Sequence, residues 1–102
     1  MLARQPWLAG LREEIQVPRI RTIKPEFFLD EDLAALDPLD RLTFVGLWTQ
    51  ADKSGRLEDR PTRLQVQILP YDKGAFRDRL SRLAASGFIV RYEVDGQKYI
   101  WI

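Results

Sequence analysis

The most regular pattern of apolar and polar residues lies in the last third of the chain. Four apolar residues recur there at i, i+4, i+7 and i+8, the spacing of one helix face. They are Phe76, Leu80, Leu83 and Ala84. This spacing predicts a helix over residues 73–86, with Asp72 as its N-cap and Gly87 as its C-terminal stop.

Two short runs rich in β-branched and aromatic residues follow this helix, on either side of Asp95-Gly96. That dipeptide favours a type I′ turn, so residues 88–102 are predicted to form a two-stranded hairpin. The register that such a turn sets places four apolar residues on one face of the hairpin. They are Val90, Tyr92, Tyr99 and Trp101.

Residues 30–51 predict two further helices. Asp30 begins a short one with three consecutive acidic residues, which suit the positive end of a helix dipole better than the alternating ligands of a calcium loop. Asp37 and a following proline begin a longer helix over residues 38–51. Its apolar residues cover most of its circumference, which predicts the central helix of the core. Gly46 within it predicts the close approach of a neighbouring element.

The middle of the chain completes a recognisable order of elements. Residues 56–58 can form a minimal strand, and Pro61 begins a helix over residues 61–69 that Pro70 ends. Helix, short strand, helix, helix and hairpin is the order of a winged helix-turn-helix. We therefore predict an α+β fold, mainly α, with a three-helix core, a C-terminal β-hairpin wing and a short additional N-terminal helix.

The amino-acid composition limits the kinds of catalysis and ligand binding that are open to the chain. The 102 residues include no Cys and no His, which removes thiolate nucleophiles, disulfides and the commonest general base. We therefore predict no enzyme activity, no catalytic residue, no metal site and no cofactor. No apolar run is long enough for a membrane span or resembles a secretion signal, so we expect a cytoplasmic protein without a membrane partner.

Charge is segregated along the chain although the net charge is only +1. Residues 30–59 contain eight acidic and three basic residues, whereas residues 60–102 contain eight basic and four acidic ones. A bipolar chain of this kind suits a module that places one face on a polyanion, and it also fits an ordinary solvated surface.

The segment 17–29 mixes three cations, which are Arg19, Arg21 and Lys24, with aliphatic and aromatic residues. Pro18 and Pro25 are expected to hold it extended. Ile20 and the pair Phe27-Phe28 are expected to attach this arm to the domain, leaving the cations in solvent. The arm then either contacts phosphates or forms a solubilising edge beside a hydrophobic anchor.

The second helix of a helix-turn-helix lies in the DNA major groove, so its exposed residues are candidates for DNA contacts. The candidates are Lys73, Arg77, Ser81 and Arg82 on the helix, Arg91 and Lys98 on the hairpin, and the three arm cations. Asp78 on the same helix face would repel phosphate, although a carboxylate can accept from cytosine. We expect DNA to be a partner.

An alternative is a winged helix used for protein contacts. The aromatic hairpin residues Tyr92, Tyr99 and Trp101 are the candidates for such an interface. They would serve a homodimer or larger oligomer, or the binding of a replisome or host protein.

Three stretches also resemble a known family. They are PRIRTIKPEFF, LDPLDRLTFVGLWTQADKSGRLEDRPTRLQVQILPYD and LAASGFIVRYEVDGQKYIWI. Together they resemble the N-terminal domain of phage and prophage replication-initiation proteins, which are replisome organisers of primosomal DnaD type, over about residues 18–102. The resemblance implies a winged helix that binds DNA or self-associates in a bacterial host cell. It also implies a further C-terminal region that helps to load helicase, and since this chain stops at Ile102 we do not expect residues 18–102 to recruit helicase by that route.

The resemblance does not extend to residues 1–16, which we regard as an N-terminal extension before the arm 17–29 and the winged-helix domain 30–102. One hypothesis is that these residues precede the natural start. Glu13-Glu14 can be encoded GAG-GAG, a ribosome-binding stretch, and Val17 can be encoded GTG. N-terminal sequencing of the native product would test this.

Overall fold

The computed structural model describes residues 18–102, and these form five helices and a three-stranded antiparallel sheet. The helices are α1 (Glu26–Leu29), α2 (Glu31–Ala34), α3 (Pro38–Gln50), α4 (Pro61–Ile68) and α5 (Phe76–Ala85). The strands are β1 (Arg56–Glu58), β2 (Val90–Val94) and β3 (Gln97–Trp101). The predicted α+β, mainly helical class is confirmed. The predicted extension 1–16 lies outside the described residues.

Helix α3 runs through the centre of the core, as its apolar pattern predicts. The Asp37 carboxylate accepts a hydrogen bond from the Leu39 amide at 2.7 Å and so caps the helix before Pro38. Phe44 and Leu47 are buried within it. A side chain at Gly46 would overlap Ile68 of α4, which confirms the predicted close approach.

Helix α5 begins later than predicted. It starts at Phe76 rather than residue 73, and its N-cap is Ala75, whose side chain makes no capping hydrogen bond. The predicted cap, Asp72, instead directs its carboxylate to Arg79 at 3.4 Å. The preceding Gly74 has low helix propensity, which favours this later start. Lys73 therefore lies in the α4–α5 connection and not on the helix.

The sheet has the strand order β1-β3-β2, and the predicted hairpin register is confirmed throughout. Asp95 and Gly96 have φ angles of 51° and 81°, as a type I′ turn requires. Leu57 of β1 faces Ile100 of β3, and both are buried. One sheet face thus completes the core, while the opposite face carries Tyr92, Tyr99 and Trp101.

At Pro25 the arm departs from the extended backbone that its prolines predicted. Pro25 has φ −54° and ψ −32° and is the N-cap of α1, because the fixed φ of proline also fits the start of a helix. Asp30 then caps α2 by accepting from two backbone amides, which confirms the helix-cap interpretation of this acidic run. Within residues 18–102, none of the helices has the length and apolar character needed to cross a membrane.

Candidate nucleic-acid interface

The outer face of α5 exposes a mixture of cationic, acidic and small residues. These are Arg77, Asp78, Ser81, Arg82 and Ala85. The Ser81 hydroxyl donates to the Arg77 carbonyl at 3.1 Å, so it is partly committed to its own helix. The inner face buries Phe76, Leu80 and Leu83, as predicted.

A cationic groove of about 500 Å³ lies between α4 and α5. Its lining residues are Arg60, Pro61, Thr62, Arg63, Val66, Gln67 and Arg77. Among the described residues, neither Arg63 nor Arg77 has a carboxylate within 4.0 Å of its guanidinium, whereas Arg60 pairs with Glu58 at 2.8 Å. The groove therefore presents two cations whose charge is not neutralised by a neighbouring acid.

Arg60 and Arg63 were not among the sequence candidates. The signal that could have identified them is the first turn of α4, which contains no acidic residue although acids are favoured at a helix N-terminus. A cation at that position gains nothing from the helix dipole, and a second role for Arg63 would have been a reasonable hypothesis.

Arg82 is held by a buried acid on another helix. Its Nε and Nη2 atoms donate to the two carboxylate oxygens of Asp40 at 2.6 and 3.0 Å. Arg79 donates to the same carboxylate at 2.9 Å. Asp40 is fully buried, and these hydrogen bonds, above all the one from Arg82, hold the pKa of its carboxyl below the ordinary value. Arg82 is thus not the unattached surface cation that its position on α5 predicted.

Arg91 is held in the same way. Its Nε and Nη2 atoms donate to Asp59 at 2.6 and 2.9 Å, and the Asp59 carboxylate is almost entirely buried. The Asp59 amide donates in turn to the Lys98 carbonyl at 3.0 Å. The exposed Lys98 of β3 therefore lies beside the connection that leads into α4 and its cationic groove.

The arm is attached through Arg21 rather than through Ile20. The Arg21 guanidinium donates to the carbonyls of Trp48, Ala51 and Asp52 at 3.0, 2.9 and 3.1 Å. These carbonyls lie at the C-terminal end of α3, where the helix dipole favours a cation. Ile20 is fully exposed, so the prediction that it anchors the arm was wrong.

Some of the other arm residues contact the domain, and the rest are exposed to solvent. Phe27 packs against Trp48 with ring centroids 5.5 Å apart, whereas Phe28 is largely exposed. The Arg19 amide donates to the Thr49 carbonyl at 2.8 Å, while the Arg19 and Lys24 side chains are in solvent. The predicted row of three free cations is therefore reduced to two, because Arg21 is bound to the domain.

We expect Arg21→Ala to lower the free energy of unfolding by about 1–2 kcal/mol, because three charge-assisted hydrogen bonds to a helix end are lost. Ile20→Ser is the matched control, and its effect should stay within about 0.5 kcal/mol because the side chain is exposed. Urea denaturation followed by tryptophan fluorescence measures both. Equal midpoints for the two variants would contradict the assignment of Arg21 as the anchor.

The outer face of the sheet is aromatic, as predicted. Tyr92 and Tyr99 stack with centroids 5.6 Å apart and planes 26° apart. The Trp101 indole donates to the Ser54 carbonyl at 3.2 Å, which fixes its ring. About half of the surface of Val90, Val94 and Trp101 is exposed, so apolar area remains open to solvent on this face.

Across residues 18–102, the acidic side chains form no cluster of three or more that could hold a metal ion. Comparisons of the chain with protein-family models, with curated proteins and with solved structures found no match.

Proposed function

We propose that the chain is a DNA-binding winged-helix module. Helix α3 is the first helix, α4 and α5 form the helix-turn-helix, and β2 and β3 form the wing, with β1 closing the small sheet. The observed element order and the strand order β1-β3-β2 support this assignment. In this arrangement α5 enters the major groove, and the wing and the start of α4 flank it.

The observation that carries the proposal is the cationic groove between α4 and α5. Arg63 and Arg77 line it without a carboxylate partner among the described residues, and the start of α5 opens beside it. Because Ala75 offers no side-chain cap, backbone amides of the first α5 turn can donate to a phosphate. Two free guanidinium groups beside such a helix start suit a DNA backbone that crosses from α4 to α5.

A salt titration of duplex binding tests the proposal. Arg63, Arg77 and Lys98 supply three of the phosphate contacts, so we expect log Kd to change with log salt with a slope of magnitude at least about 3. Fluorescence anisotropy of a labelled duplex of mixed sequence, between about 50 and 200 mM salt, measures this slope. No binding, or binding that salt does not weaken, would exclude the proposed function.

The setting that we propose for this module is replication initiation by a phage or prophage replisome organiser of primosomal DnaD type. The support is the sequence resemblance of the RIRTIKPEFF and GLWTQAD–GRL stretches together with the α+β architecture. In this setting the module acts on DNA in the bacterial cytoplasm beside helicase-loading proteins.

A second candidate function is protein association through the aromatic sheet face. The stacked Tyr92–Tyr99 pair and the half-exposed Val90, Val94 and Trp101 favour it, because rigid aromatic side chains dominate protein interfaces. We expect light scattering to show an oligomer that Tyr99→Ser with Trp101→Ser converts to a monomer. A wild-type protein that stays monomeric at high concentration would exclude self-association through this face.

A further inference from the structure

The attachment of Arg82 to Asp40 leaves part of its guanidinium available. Arginine has five N–H donors, and Asp40 accepts one from Nε and one from Nη2. The Nη1 group and the second Nη2 hydrogen donate to no atom among residues 18–102. The Arg82 side chain is 48% exposed. The Arg82 guanidinium is therefore held by Asp40 while some of its donors remain free on a half-exposed side chain.

Arg79 shows what a purely structural arginine looks like in the same helix. Its side chain is only 10% exposed, and its Nη1, Nε and Nη2 atoms all donate to Asp40 or Asp72. Arg79 also pairs with Asp72 and lies 3.8 Å from Asp37, so its one charge is shared among three carboxylates. Arg82 therefore completes the neutralisation of the buried Asp40, and the same pairing holds the Arg82 guanidinium in place.

Arg91 repeats the geometry of Arg82 on a different element. Its Nε and Nη2 atoms are bound by the buried Asp59, and its side chain is 30% exposed. In both pairs the acid is withdrawn from solvent, the arginine side chain is partly exposed, and its Nη1 donates to no atom among residues 18–102. The same pairing of an arginine with a buried acid occurs twice, on α5 and on β2, which indicates that both pairs serve the same function.

We propose that Asp40 and Asp59 are positioning residues, which hold Arg82 and Arg91 so that their free Nη ends donate to phosphate oxygens of bound DNA. The inference rests on the proposed DNA-binding function and extends it to two buried acids. An arginine fixed in the folded protein loses little side-chain entropy on binding, so each donor contributes more than a mobile one would. Phosphate is favoured over a base edge for Arg82 because it lies in the last turn of α5, whereas recognition helices contact bases with their N-terminal residues.

The test compares Arg82→Lys with Arg82→Ala in salt-titrated anisotropy on two duplexes of unrelated sequence. Lysine keeps the positive charge. Its ammonium group, however, lacks the two separate edges of a guanidinium, so it cannot bind Asp40 with one side and donate to phosphate with the other. We expect both variants to weaken binding on the order of tenfold, equally on both duplexes, with the salt slope reduced by about one. Circular dichroism confirms that each variant is folded at the temperature used.

The positioning role is tested by combining substitutions. Asp40→Asn should weaken binding about as much as Arg82→Ala, and adding it to Arg82→Ala should cause no further loss. Asp59→Asn with Arg91→Ala provides the same cycle at the second pair, which keeps the test decisive if an Asp40 variant fails to fold. Additive losses in the folded cycle would overturn the assignment.

The remaining outcomes separate this inference from the proposed function. A wild-type protein without salt-dependent duplex binding overturns both. Salt-dependent binding that Arg82→Lys retains in full overturns only the inference, because charge alone is then sufficient. A loss confined to one duplex sequence also overturns it, because it identifies a base contact.

Discussion

Asparagine in place of Asp40 should lower the free energy of unfolding by about 3–5 kcal/mol, the effect expected when one partner of a buried ion pair is removed. Asp40 is fully buried and accepts from both Arg79 and Arg82. The amide keeps the shape of the side chain, but it loses the negative charge and replaces one accepting oxygen with an NH2 group that faces a guanidinium donor. Arg79, which is itself buried, would then lose its nearest charge partner. Urea denaturation at neutral pH measures the change.

Asp78→Asn is the matched control for this prediction. Asp78 is exposed on α5, and among the described residues it forms no ion pair within 4.0 Å, so the same substitution there should change stability by no more than about 0.5 kcal/mol. A similar unfolding midpoint for Asp40→Asn and Asp78→Asn would show that the buried network does not stabilise the fold.

The Asp40 carboxyl also makes the stability of the fold sensitive to acid. Hydrogen bonds from Arg82 and Arg79 lower the pKa of Asp40 in the folded state below the ordinary value of 3.8. The pKa of Asp40 is lower in the folded protein than in the unfolded chain. The contribution of Asp40 to the free energy of unfolding is therefore complete above pH 3.8 and is lost as the pH falls through the folded pKa. The stability difference between wild type and Asp40→Asn should therefore shrink on acidification below about pH 4.

Removing both Arg63 and Arg77 should give the largest loss of DNA affinity among the surface variants. Each lines the α4–α5 groove, and neither has a carboxylate partner among the described residues. Two lost phosphate contacts should reduce the magnitude of the salt slope by about two and weaken binding on the order of a hundredfold at low salt. Salt-titrated anisotropy of Arg63→Ala with Arg77→Ala measures both quantities.

Lys53→Ala with Arg56→Ala is the control for that experiment, because it removes the same number of positive charges away from the groove. Lys53 lies in the α3–β1 turn and Arg56 on β1, and neither lines the groove. The salt slope of DNA binding by this double variant should match that of the wild type, apart from the long-range attraction of the two charges, which salt screens. Equal losses in the two double variants would show that net charge, and not the groove, determines binding.

Those parts of the fold that depend on short-range sequence were predictable. The caps at Asp30 and Asp37, the stop at Gly87 and the turn at Asp95-Gly96 each depend on neighbouring residues, and the structure confirms all of them. The hairpin register followed from the turn because a two-residue loop leaves only one pairing of the flanking strands. The start of α5 was misplaced because the Asp72 carboxylate pairs with Arg79, seven residues away, and because Gly74 disfavours a helix there.

The buried ion pairs were not predicted, because Asp40 and Arg79 are 39 residues apart and meet only after the helices pack. A signal was nevertheless present. Asp40 shares the helical stripe of Phe44 and Leu47, and Arg79 shares that of Phe76 and Leu83. An acid and a base on the core-facing stripes of two helices together indicate a buried pair. Because Asp40 was not recognised as a buried partner, Arg82 was predicted to be as free for DNA contacts as Arg77.

The anchor of the arm has a consequence for how this protein can change over evolutionary time. Arg21 binds three main-chain oxygens at the end of α3 and no side chain of the described residues. Main-chain oxygens persist whatever residue supplies them, so exchanging Ala51 or Asp52 leaves the acceptors of Arg21 in place. No compensating partner has to change with Arg21. Related chains should therefore keep an arginine at this position and show no covariation between it and the end of α3.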